Sequence, residues 1–135
     1  MTNLSKTQRS VSWFFQLISA LILGMAAFGK FSGNESSLYI FNELDIEGTR
    51  LVIGFIEAIS TLLLISRLPQ YGAILAFGTM IGAVIAHISV LGIQINNDEG
   101  MMLGMLIVVL VSTSSIMWIR RKELPLISHT FNQQY

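Results

Sequence analysis

The sequence predicts an all-α integral membrane protein, four helices crossing the bilayer up-down-up-down as a bundle. Three observations predict it. The chain of 135 residues is 53% hydrophobic and only 12% charged, with a mean hydropathy of +0.66, whereas a soluble domain carries about 25% charged residues. A short soluble domain still leaves about a third of its chain surface in water, so a charge deficit of this size belongs to a lipid-facing exterior. Second, four apolar stretches stand out, 11–31, 51–68, 71–95 and 101–119. Each is close to the ~20 residues a helix needs to cross a ~30 Å hydrocarbon core. Third, none of them alternates as a spanning strand of about ten residues does, and backbone groups in hydrocarbon must be satisfied within the segment, as they are in a helix. Residues 1–135 read as one membrane domain.

In the first stretch Lys6 and Arg9 precede the apolar run, as in a secretory signal; the run exceeds a signal's apolar region, so a retained span is expected. Basic residues orient the spans, because Lys and Arg concentrate on the cytoplasmic side. Lys6 and Arg9 precede the first span, Arg67 lies in the tight turn between the second and third, and Arg120, Arg121 and Lys122 follow the fourth. The other side carries Lys30 and Arg50 beside Glu35, Glu43, Asp45, Glu47, Asp98 and Glu99. Both termini are therefore predicted to be cytoplasmic. Pro69 suits the start of the third span, and 96–100 joins the third to the fourth. The longest connection, the outer loop 32–50, is predicted to hold a short helix capped by Ser36 or Ser37, with Leu38, Phe41 and Leu44 on one face. It reads either as a segment resting among the headgroups or as a lid over a site between the helices.

Several function classes drop out. Eight Lys+Arg balance eight Asp+Glu with no basic patch, so nucleic acid is not an expected partner. With no cysteine, the chain cannot itself carry thiol redox chemistry, disulfide exchange or thiolate-bound clusters. A single histidine within a span, His87, with His129 in the tail, is too little for haem or another metal site, and the seven Met are scattered. No metal and no haem are expected; a quinone remains open as a cofactor.

An ionisable group in hydrocarbon costs about 2.5–3.5 kcal/mol even on the mild insertion scale, so the few present carry the information. Glu57 lies about seven residues into the second span, ~10 Å deep by helical rise, and His87 is placed ~9–12 Å deep when counted from the outer end of the third. Lys30 ends the first span with a stem long enough to reach inward. At ~100° per residue, Ser12, Gln16, Ser19, Ala26, Ala27 and Lys30 share one stripe; Arg50, Gly54, Glu57, Ser60 and Thr61 share another; Ala76, Met80, Ala83, His87 and Gln94 a third. Small and polar stripes of this kind face an interior. Lys30, Glu57 and His87, with Gly54 and Gln94, are thus the candidate ligand-binding residues, Glu57 and His87 being the candidates for catalysis. An acid and an imidazole at one level could pass a proton to a quinone-like or carbonyl-bearing ligand. The plainer alternative is an interhelical ion pair of Lys30 with Glu57. Gly78 with Gly82, and Gly100 with Gly104, form two GxxxG pairs suited to close helix packing, within one copy or across a homodimer.

Gly24, Phe28-Gly29-Lys30, then Gly54-Phe55-Ile56-Glu57 followed by Leu62-Leu63-Leu64, then Gly82-Ala83 and His87, resemble the DoxX-like family of small four-helix membrane proteins, over roughly Ser19 to Trp118. The resemblance implies a Gly-x-x-Glu site at Gly54 and Glu57 and a bacterial inner-membrane location. It also implies association with thiosulfate:quinone oxidoreduction, membrane redox complexes or accessory roles. Without cysteine or a large extra domain, a self-contained sulfur oxidoreductase is not expected. The expectation is an accessory, non-enzymatic subunit serving a membrane redox partner. The alternatives are a quinone-linked enzyme in its own right, a scaffold or a small-molecule carrier.

Overall fold

A computed structural model describes residues 4–124; all regular structure among them is helical. The first helix, α1 (Lys6–Ser32), starts earlier than its apolar stretch because a capping box precedes it: the Ser5 hydroxyl accepts from the Gln8 N–H and the Gln8 side chain accepts from the Ser5 N–H. It ends at Gly33, which takes a φ of 66° and returns its N–H to the Gly29 carbonyl, a left-handed cap that glycine adopts without steric cost.

The short helix α2 (Glu35–Glu43) is capped by Asn34, whose Oδ1 accepts from the Ser37 N–H at 2.9 Å, rather than by Ser36 or Ser37. A serine cap would need its own backbone outside the helix, and both serines are already inside it. Phe41 is buried beneath α2 and Leu38 faces outward. A 3₁₀ turn (Glu47–Thr49) leads into α3 (Arg50–Leu64). At 15 residues α3 is shorter than the stretch 51–68, because Ser66 folds 65–68 into a turn: its N–H donates to the Leu63 carbonyl and its Oγ accepts from the Leu68 N–H. The fourth helix, α4 (Pro69–Ala86), continues as a π turn, His87–Leu91, in which the Gly92 N–H donates to the His87 carbonyl at 2.8 Å. Gly92, at φ 74° and ψ −165°, stops it short of residue 95. The last long helix is α5 (Met101–Ile119).

Three segments are long and apolar enough to cross a membrane: Lys6–Ser32, Pro69–Leu91 and Met101–Ile119. By helical rise α3 covers only ~22 Å, less than the ~30 Å hydrocarbon core. The four long helices close a ring in which α1 packs on α3 and α5, and α4 packs on the same two. Leu23, Leu64, Ala73, Ala76, Met80, Leu106, Val109 and Ile116 fill its centre.

Polarity runs opposite to that of a water-soluble bundle. Ser12, Gln16, Ser19, Glu57, Ser60, Gln70, Ser112 and Thr113 are buried, whereas Phe14, Leu17, Leu21, Phe28, Phe55, Leu62, Ile85 and Ile107 are exposed. So continuous an apolar exterior is far larger than a soluble monomer tolerates, and it is the surface a helix bundle presents to acyl chains. Two helices approach closely at Gly72, where an added Cβ would lie 2.7 Å from the Leu64 nitrogen and 2.8 Å from the Ser60 carbonyl oxygen. Small residues that let backbones meet are how helices associate where burial from water gives no drive.

Candidate functional site

The site begins with helix spacing. Gly54 and Glu57 lie three residues apart on the buried face of α3, so the position one turn before the acid is empty of side chain. The end of α1 fills it: a Cβ at Gly54 would meet the Lys30 Cβ at 3.2 Å and the Phe31 ring at 3.3 Å. Phe31 in turn packs edge-on against Phe55, with ring centroids 5.0 Å apart. Arg50, one turn before Gly54, donates through its guanidinium to the Lys30 carbonyl. That bond satisfies an orphan carbonyl in the last turn of α1 and fixes the backbone from which the lysine stem springs.

From there the Lys30 ammonium reaches Glu57. Nζ lies 2.9 Å from Oε1 and donates to it, and it lies 2.8 Å from Oε2. Glu57 is 3% exposed. The arrangement is therefore a buried ion pair in which the ammonium faces both carboxylate oxygens. It can neutralise the acid, hold two helices together, and offer both an acceptor and a donor to a third polar group.

His87 does not join this pair. Its Nδ1 is 2.7 Å from the Gly92 carbonyl oxygen, closing the π turn, and the nearby charge is Asp98. The reason is register. Only four residues separate α3 from α4, and Gly72 packs on Ser60 and Leu64, so the two helices share a level at that turn. Glu57 stands seven residues from the end of α3 and His87 eighteen from the start of α4, or ~10 Å against ~27 Å along the axes. Counting inward from the apolar limits put both at one depth, because it treated residues 92–95 as helix and placed the turn too late. A direct proton relay between Glu57 and His87 has no geometric support.

Gln94 is exposed beyond the π turn, away from the pair. Among the described residues, Gly78, Gly82 and Gly104 have nothing within 4 Å of a Cβ built on them, so they do not pack these helices together, contrary to the reading of tight internal packing. Gly100 serves the backbone instead, opening α5 at φ 83°. The glycines that do make close contacts are Gly29, Gly54 and Gly72. Gly29 stands 2.7 Å, measured from an ideal Cβ, from the Asn34 side chain that caps α2. On α5, Thr113, Ser114 and Ser115 return their hydroxyls to backbone carbonyls three or four residues earlier. His129 lies outside the described residues.

Sequence reasoning passed over Arg50 as a site residue, although its place one turn before Gly54 on the Glu57 stripe was the available signal. It also passed over a second polar cluster, at the Pro69 end of the ring. Arg120 Nε donates to Ser12 Oγ at 2.8 Å and Arg120 also pairs with Glu123 at 2.9 Å; Gln16 Nε2 donates to the same Ser12 Oγ at 2.6 Å.

Outside the spans, Asp98 organises the turn into α5. Its carboxylate accepts from the N–H groups of Ile95, Gly100 and Met102, each at 2.9 Å. These bonds, that from Ile95 foremost, hold the acid below the usual carboxylate range. Asn96, Asn97 and Glu99 take positive φ around it, conformations that such bonds compensate.

No protein-family model, curated protein or solved structure matches the chain. The resemblance to the DoxX-like family therefore rests on the motif residues themselves, of which Gly54, Glu57 and Lys30 meet in one place.

Proposed function

We propose that the chain is a DoxX-like membrane protein, an antiparallel four-helix bundle with both termini cytoplasmic, acting as an accessory subunit to a membrane redox partner. Its Lys30–Glu57 pair receives the polar head of a small hydrophobic, quinone-type molecule. The closed ring of α1, α3, α4 and α5, with apolar residues outside, supports the bundle. The basic residues support the orientation: the Ser12–Arg120 bond brings the start of α1 beside the end of α5, so Lys6, Arg9, Arg120, Arg121 and Lys122 gather at one end, where basic residues mark the cytoplasmic side. On this reading α3 crosses with its flanking turns, Glu47–Thr49 and 65–68, inside the thickness set by its neighbours.

The observation that carries the ligand is the buried ion pair itself: Glu57 is 3% exposed and both of its carboxylate oxygens lie within 2.9 Å of the Lys30 ammonium. Ionisable groups inside a membrane bundle are costly and mark ligand or proton pathways. The hydroxyl of a reduced quinone-type ring can donate to the carboxylate, and the Lys30 ammonium can donate to the carbonyl of its oxidised form. Mass spectrometry of lipids co-purified with wild-type protein and with Glu57→Gln tests this. Enrichment of a quinone-class molecule over the bulk membrane in wild type, lost in the variant, is expected; equal content in both defeats the ligand reading and leaves the pair as a clamp between α1 and α3.

A further inference from the structure

A cavity of about 310 Å³ lies between α2 and the start of α3, lined by Leu38, Phe41, Glu47, Gly48 and Arg50. That is the lower end of the range for small-molecule sites, room for a polar head rather than a large ligand. Its walls differ in kind. Phe41 is buried and Leu38 half-exposed, giving an apolar side, whereas Glu47 and Arg50 bring opposite charges. Among the described residues the ion pairs are Lys30 with Glu57 and Arg120 with Glu123. Glu47 and Arg50 therefore line one space without pairing across it. Arg50 uses one guanidinium N–H on the Lys30 carbonyl, and a guanidinium has five to give.

The level of the cavity and the order of its charges select a guest. Arg50 opens α3 just before the apolar stretch that starts at Leu51, and it stands seven residues, or ~10 Å of helical rise, from Glu57. In a bilayer that is the boundary between acyl chains and headgroups. Arg50 is half-buried, while Glu47, one turn farther from the span, is exposed. A cation thus stands on the membrane side and an anion on the water side. Glu35, Glu43 and Asp45 add three more acids to the same connection, which disfavours a head that is only anionic.

We infer that this cavity binds the head of a zwitterionic phospholipid bearing a primary ammonium, a lipid of the phosphatidylethanolamine class. Such a head carries its phosphate next to the glycerol and its ammonium at the tip, the order in which Arg50 and Glu47 stand. The phosphate accepts from the guanidinium, a fork suited to its oxygens, and the ammonium donates to the Glu47 carboxylate. The glycerol end rests on Leu38 and Phe41. A quaternary ammonium has no N–H for Glu47, and a glycerol head has no cation for it. The site stands whether or not Lys30 and Glu57 receive a ligand.

Thiol protection of the full chain tests this, because the chain has no cysteine of its own. Gly48→Cys puts one thiol in the cavity wall, where an added Cβ meets nothing within 4 Å; Glu43→Cys, at an exposed position of α2, is the reference. In detergent micelles, phosphatidylethanolamine is expected to slow N-ethylmaleimide at Gly48→Cys about fivefold. Phosphatidylcholine and phosphatidylglycerol should slow it by less than about twofold, and Glu43→Cys should not respond. Adding Glu47→Gln to Gly48→Cys should abolish the protection. No slowing by phosphatidylethanolamine, equal slowing by all three lipids, or protection that survives Glu47→Gln overturns the proposal. Equal protection by water-soluble phosphoethanolamine overturns a lipid as the guest. Should Gly48→Cys fail to fold, Leu38→Cys, also in the wall, gives the same reading.

Discussion

Deleting the lysine should harm this protein more than neutralising the acid. Lys30→Met keeps the aliphatic stem and removes the ammonium, leaving a carboxylate whose side chain is 4% exposed and whose one directed hydrogen bond is gone. Breaking a buried pair from one side costs about 3–5 kcal/mol, because the surviving charge is left unpaired. Glu57→Leu leaves the other charge. The Lys30 side chain is 15% exposed, it is flexible enough to turn its ammonium toward water, and it sits in the last turn of α1, where helix carbonyls favour a cation. That variant should cost only about 1–2 kcal/mol. Removing both charges with Lys30→Met and Glu57→Leu should restore stability to near wild type, as replacing a whole buried pair by apolar groups often does. With single losses of about 3–5 and 1–2 kcal/mol and a double variant near wild type, the cycle shows a coupling of about 4–7 kcal/mol. Equilibrium unfolding in lipid bilayers, followed by steric trapping at pH 7, measures all four proteins. Equal losses in the two single variants, or a double variant that merely adds them, would refute the account of a deep acid and a reachable ammonium.

Three more outcomes follow from the same structure. Gly72→Ala drives a methyl into the backbone of Leu64 and Ser60 and should cost about 1–3 kcal/mol, whereas Gly78→Ala and Gly82→Ala, with open space around them, should be neutral or gain up to about 1 kcal/mol of helix propensity; the same unfolding assay compares them. Asp98 is held below the usual carboxylate range by three backbone donors, so its contribution is complete above that range and fades as pH falls through its lowered value. Wild type should accordingly be more stable than Asp98→Asn at pH 7, with the gap closing in strong acid; a gap that persists unchanged there contradicts the assignment. Because the chain has no cysteine, single introduced cysteines report topology: on intact cells an impermeant maleimide should label Asp45→Cys and Glu99→Cys, and reach Gln8→Cys and Lys122→Cys only after lysis.

Much of the candidate site was legible from residue spacing. A period of 3.6 reports the angle around a helix, and that angle placed Ser12, Gln16, Ser19 and Ala27 of α1 and Gly54, Glu57 and Ser60 of α3 on faces that are buried. Lys30 could be matched to Glu57 because a charge in hydrocarbon needs a partner and few were available. What periodicity does not report is height along the axis. The height of His87 relative to Glu57 depended on where the chain turns, at 65–68, and on the Gly72 contact that locks α3 to α4. Glycine was equally ambiguous: Gly72 and Gly78 look alike in sequence, yet one meets a neighbouring backbone and the other faces open space.

By itself, then, the sequence determined the helical class, the apolar exterior and the availability of Lys30 to the buried acid, since composition and period depend only on local residue identity and on the solvent each face prefers. The tertiary structure alone decided that Arg50 caps the end of α1, that His87 closes a π turn beside Asp98, and that a second polar layer forms between Ser12 and Arg120, 108 residues apart. Those outcomes depend on the axial offset between helices, which is set by a few close contacts and by the exact length of each turn.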